Sequence, residues 1–170
     1  MKHLLVVIDM QNDFITGALG TKEAQAIIAN VKRKVEKYLV EGNEVVFTRD
    51  THTTDYLETQ EGKKLPIIHG IKETKGWNII EQLQPYAKKI FDKPTFGSQE
   101  LSEYVAKGDF KYIELIGVCT DICVVSNALL LKATTLEAEI SVDSACCAGV
   151  TPESHQAALL IMTMCQVEVN

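Results

Sequence analysis

His3–Ile8 is an apolar run without the polar alternation that a strand with one wet face shows, and it ends abruptly at Asp9. Such a run suits a strand covered on both sides. Further candidate strands follow at Glu44–Thr48, Lys89–Asp92, Tyr112–Gly117, Ala138–Val142 and Gln166–Val169. Helical spacing lies between them. In Glu23–Val40, Ala26, Ile27, Ile28, Val31, Val35, Tyr38 and Leu39 fall on one stripe, with Gly42 behind as a terminator. Trp77–Leu83, Gln99–Lys107, Asp121–Ala133 and Pro152–Met164 read as the other helices, the last with proline at its first position. Strands alternating with helices, and no Asn-Gly hairpin signal, predict an α/β fold of three layers (αβα) around a doubly wound, six-stranded parallel sheet.

The chain's 170 residues suffice for one domain, 1–170, that buries roughly two-thirds of its unfolded surface. A net charge of −6 argues against nucleic acid, which needs clustered Lys and Arg. No apolar run approaches the roughly 20 residues of a membrane span, and the N-terminal run is too short for a signal sequence. A cytoplasmic enzyme is the expectation. Its expected partners are a small-molecule amide and further copies of itself in a homo-oligomer. The five cysteines, Cys119, Cys123, Cys146, Cys147 and Cys165, form no even disulfide framework and read as reduced thiols.

In doubly wound sheets ligands bind beyond the carboxyl ends of the strands. That rule selects Asp9, Asp50 with His52, Lys93, and Cys119 to Cys123, each just past a predicted strand. Cys123 would sit in the first turn of a helix, where the helix dipole favours thiolate and main-chain N–H groups are free for an oxyanion. An isolated cysteine is more often simply buried, an isolated lysine solvated, and an aspartate after a strand a turn former. What carries weight is their joint placement on one rim.

Three strings, Asp9-Met10-Gln11-Asn12-Asp13-Phe14, Lys93-Pro94-Thr95-Phe96-Gly97-Ser98 and Gly117-Val118-Cys119-Thr120-Asp121-Ile122-Cys123-Val124, occur in this order on three predicted strand ends. Together they resemble the isochorismatase-like cysteine hydrolases, the family that includes nicotinamidases. The resemblance implies Cys123 as nucleophile, Asp9 as general base and then acid, and Lys93 as electrostatic partner. It places the oxyanion hole on the backbone N–H groups of Cys119 and Cys123, and a non-proline cis peptide at Val118–Cys119. The reaction implied is hydrolysis of a small, nicotinamide-like amide through a thioester, releasing ammonia and a carboxylic acid. Other small amides, carbamoyl compounds, an isochorismate-like ether or a relative that only binds are the alternatives.

Asp50, His52 and His69 match the family's metal ligands, and two imidazoles with a carboxylate suit a divalent ion, Zn²⁺ first. In the family's nicotinamidases that metal binds the substrate's ring nitrogen. Glu58 or Glu61 is a candidate added ligand. The sequence departs from the nicotinamidase pattern at Thr51, where Trp is common, and in Pro66-Ile67-Ile68-His69-Gly70, which lacks Trp before Pro and Cys after His. Phe14 and Phe96 are then the expected substrate-binding walls, with Trp77 a further aromatic candidate.

Overall fold

The computed structural model describes residues 2–170. Six strands, β1 (Lys2–Ile8), β2 (Glu44–Asp50), β3 (Ile90–Lys93), β4 (Phe110–Val118), β5 (Glu139–Ala148) and β6 (Glu168–Val169), form one sheet. Their order is β3-β2-β1-β4-β5-β6, and every neighbouring pair is parallel. β1 lies at the centre because Leu4 through Ile8 offer apolar side chains to both faces, and none retains any exposure. Burying each such side chain contributes about 1.5–3 kcal/mol.

Alternate residues of β1 feed two separate cores. Leu4, Val6 and Ile8 meet α5 (Gln99–Lys107), α6 (Val125–Thr134) and α7 (Pro152–Met164) through Leu101, Val105, Ala128, Leu131, Leu159 and Met162. Leu5 and Val7 meet α2 (Lys22–Ala26) and α3 (Ile28–Val40) through Ala24, Val31 and Val35. Local chemistry sets the helix starts. Thr21 and Ser98 accept from Ala24 N and Leu101 N, and Thr151 with Ser154 forms a capping box beside Pro152. The remaining helices, α1 (Asn12–Ile15) and α4 (Gln60–Lys64), are single turns beside the site. No helix among the described residues is long and apolar enough to cross a membrane.

Three elements differ from expectation. The Glu23–Val40 helix is interrupted at Ile27, a core residue at φ −86°, ψ −11°, between α2 and α3. Trp77–Leu83 is not helical. Its backbone is committed to the segment after β1, where Asn12 N donates to Asn78 O at 3.0 Å, Ile80 N donates to Met10 O at 2.9 Å, and Gln11 bridges Ile79. These long-range bonds override a weak local propensity. The helix expected from Asp121 instead opens with a π-helical turn, Thr120–Val124, before α6 begins. π turns are rare and occur mostly at functional positions.

The strand order reverses between β1 and β4, so the connections diverge there and leave a crevice at the carboxyl ends. Close approach at that point demands glycine. Gly117 has φ +116°, and a Cβ on it would lie 2.1 Å from the Ile8 carbonyl oxygen.

Candidate active site

Each rim residue is delivered by the end of a strand. Asp9 follows β1 in the left-handed region, φ 47°, a conformation that aspartate tolerates better than most residues. Asp50 and Lys93 end β2 and β3, where they are register partners, and Cys123 lies in the π turn after β4. Val118–Cys119 is a cis peptide, at the position expected from the sequence.

Lys93 joins these groups. Its side chain is wholly buried, and its Nζ lies 2.6 Å from Asp9 Oδ2, 3.3 Å from Asp50 Oδ1 and 3.5 Å from Cys123 Sγ, while donating to Thr95 O at 3.1 Å. Burial alone would lower its pKa. Asp9 and Asp50 outweigh burial and hold the ammonium charged above the ordinary lysine range. Asp9 is the reverse case. Burial raises its pKa, Lys93 offsets part of the rise, and Asp50 adds to it. Thr48 Oγ1 donates to Asp9 Oδ1 at 2.7 Å. Oδ2 lies against the ammonium, and its second lone pair is able to accept a proton.

The thiol departs from expectation. Burial pushes Cys123 well above the usual cysteine value, Asp9 adds to this, and Lys93 only partly opposes it. Desolvation and the nearby carboxylate thus favour the neutral thiol over the thiolate. Cys119 is raised to about 12, again mainly by burial. All five cysteines are free.

The Cys119 carbonyl accepts from Ile122 N at 3.1 Å and from Val124 N at 3.0 Å, passing over the N–H of Cys123 between them. Beside the thiol is a cavity of about 330 Å³, walled by Phe14, Leu19, Leu65, Phe96, Ile122 and Val150 and lined also by Asp50, Glu61, His69, Cys119 and Cys123. Phe14 and Phe96 both reach it. Trp77 does not: it is stacked under the Arg49 guanidinium at 3.3 Å and donates to Thr51 Oγ1 at 2.8 Å.

Asp50, His52, Glu61 and His69 converge, with one potential ligand atom from each lying within 4.8 Å of the others. His52 Nε2 and His69 Nε2 lie 2.9 and 3.5 Å from Asp50 Oδ2, and 3.7 and 3.9 Å from Glu61 Oε1. His69 Nδ1 bonds to the Ile67 carbonyl at 2.7 Å, which fixes that nitrogen as a donor and turns Nε2 toward the cluster. Asp50 is held far below the usual carboxylate range: burial opposes this, but His52, His69 and Lys93 prevail. The donor set suits a divalent cation. Glu61, rather than the exposed Glu58, is the carboxylate that joins it.

Supporting residues escaped the sequence reading. Gln11 is wholly buried, accepts from Asp50 N at 2.7 Å, and donates to Asp50 O and Trp77 O at 2.9 Å each. Tyr56 packs against both histidines, tilted to His52 and edge-on to His69, with ring centroids 4.7 and 4.9 Å away. Gln11 stood within the first motif string, yet nothing in the string identified its partners.

Comparison with known proteins agrees with this architecture. The chain is 29% identical over 143 residues to the isochorismatase family protein PncA of Bacillus subtilis, covering 76% of this chain and 78% of that one. It superposes on the crystal structure of nicotinamidase PncA from Bacillus subtilis with a TM-score of 0.86 at 27% identity, covering 99% of each chain. The pyrazinamidase of Pyrococcus horikoshii in complex with zinc gives a TM-score of 0.86 at 26% identity, covering 100% of this chain and 99% of that one. The isochorismatase domain model matches residues 3–169, and the chain belongs to the isochorismatase family.

Proposed function

We propose that this chain is a cysteine-dependent amidohydrolase of small amides, acting on a non-peptide C–N bond, with a nicotinamide-like carboxamide as the first substrate class. The observation that carries the reading is the convergence of Asp9, Lys93 and Cys123 beside an apolar cavity. The relatives named nicotinamidase and pyrazinamidase support the same reaction class.

In this mechanism substrate enters between Phe14 and Phe96. Cys123 Sγ attacks the amide carbonyl carbon as its proton passes to Asp9, which suits a neutral resting thiol better than a preformed thiolate. The N–H groups of Cys119 and Cys123 receive the negative charge on oxygen. Asp9 then protonates the leaving nitrogen, the C–N bond breaks, and ammonia departs to leave a thioester. Water, deprotonated by Asp9, cleaves the thioester to carboxylic acid and thiol. Lys93 keeps two buried carboxylates tolerable and adds positive charge beside the sulfur.

Asp50, His52, Glu61 and His69 are the residues that would hold a divalent cation, whose chemistry there is Lewis-acid coordination of a substrate lone pair. Replacing His52 by Ala should weaken Zn²⁺ binding, measured by calorimetry, by more than the roughly 10–100-fold that loss of an outer-shell partner costs. It should also raise KM. Undiminished zinc affinity would remove His52 from the site.

The reaction itself is tested by ammonia release across nicotinamide, pyrazinamide, aliphatic amides and carbamoyl compounds. Turnover of heteroaromatic carboxamides above the rest supports the reading. Release from none of them overturns it.

A further inference from the structure

Asn127 lies on α6, four residues after Cys123, and its side chain has no solvent exposure. Its amide is fully engaged. Nδ2 donates to the Cys123 carbonyl at 2.7 Å and to the Phe96 carbonyl at 2.9 Å, and Oδ1 accepts from Ser98 N at 2.9 Å. One buried side chain therefore joins the turn that carries the thiol to the segment running from Lys93 to the cap of α5. At its other end that segment is tied by Lys93 Nζ, which donates to the Thr95 carbonyl at 3.1 Å. Phe96, between the two ties, lines the cavity while remaining 41% exposed. Its backbone is held by Asn127.

We propose that Asn127 is a positioning residue that sets the distance between the Cys123 thiol and the Phe96 wall. The inference rests on Cys123 being the nucleophile. Removing the amide takes this partner from the buried Cys123 carbonyl and Ser98 N–H and from the part-buried Phe96 carbonyl, so both segments shift to find others. Displacements of about 1 Å at a reacting centre cost on the order of 10²-fold in rate.

The test compares Asn127→Ala with Asn127→Thr. A threonine hydroxyl can bond the carbonyl one turn back in its own helix, so it restores the link to Cys123, but it is too short to span to Phe96 and Ser98. Activity is measured on the best amide of the panel and normalised to thiols titrated at Cys123. Asn127→Ala should lose roughly 10²-fold in kcat/KM, with kcat lowered and KM raised. Asn127→Thr should recover most of kcat while KM stays high. Wild-type kcat and KM per titrated thiol in Asn127→Ala would overturn the proposal, as would a threonine variant in which the two constants move together. The rate of Cys123 alkylation by iodoacetamide, followed by peptide mass spectrometry, needs no substrate. Should the wild-type chain hydrolyse no amide, the hydrolase reading fails and this rate still decides the role of Asn127: altered in Asn127→Ala and restored in Asn127→Thr supports it, and unchanged in both overturns it.

Discussion

Cys123→Ala is expected to lower kcat by roughly 10⁴–10⁶-fold while leaving the circular dichroism spectrum and Tm close to wild type. In the proposed mechanism the loss is large because the other groups act only through the sulfur. Asp9 has no proton to take without it, and the N–H groups of Cys119 and Cys123 receive no tetrahedral oxyanion. The fold should persist because the side chain is small and lines a cavity at the edge of the core. Cys119→Ala keeps its main-chain N–H and should retain most turnover. Equal loss from both substitutions would mean that the wrong thiol has been assigned.

Lys93→Met should show the largest loss of stability of any single substitution at the site. The variant leaves Asp9 and Asp50 buried without the cation that lies 2.6 and 3.3 Å from them. Breaking a buried pair by removing one partner costs about 3–5 kcal/mol, which for a chain of this size lowers Tm by roughly 10 °C. The deficit should depend on pH. Without Lys93, the folded-state pKa of Asp9 rises further above its unfolded value near 3.8, since the cation that lowers it is gone. A group with a raised folded pKa contributes stability below the unfolded pKa and loses it as pH rises through the folded pKa. The gap between variant and wild type, read by chemical denaturation, should therefore widen as pH rises from about 4 toward neutrality. A gap that is constant over that range would place the Asp9 charge elsewhere.

The parallel sheet and its rim were legible because the information is local. His3–Ile8 is apolar without alternation, and Asp9, Asp50, Lys93 and Cys123 each lie at or just past the end of a strand that the sequence predicts. What escaped is set by partners far away in sequence. Trp77–Leu83 has a helix-like composition, yet its main-chain groups pair with residues 10–12. Gln11 and Thr48 hold Asp50 and Asp9 across 39 residues, and Asn127 holds Phe96 across 31. Each is an ordinary polar residue until the fold brings its partner within 3 Å. The thiol was misjudged for a related reason. A helix turn can be read from the sequence, whereas complete desolvation beside a carboxylate cannot.

The central claim is that the acyl group of the substrate passes through Cys123. Hydroxylamine partitioning tests it most directly: the best amide of the panel is turned over at rising hydroxylamine concentrations, with ammonia, carboxylate and hydroxamate all quantified. A thioester intermediate predicts hydroxamate that grows at the expense of carboxylate in the wild-type chain and vanishes with Cys123→Ala. Ammonia release with no hydroxamate at any hydroxylamine concentration would mean that water attacks the amide directly, and would contradict the account.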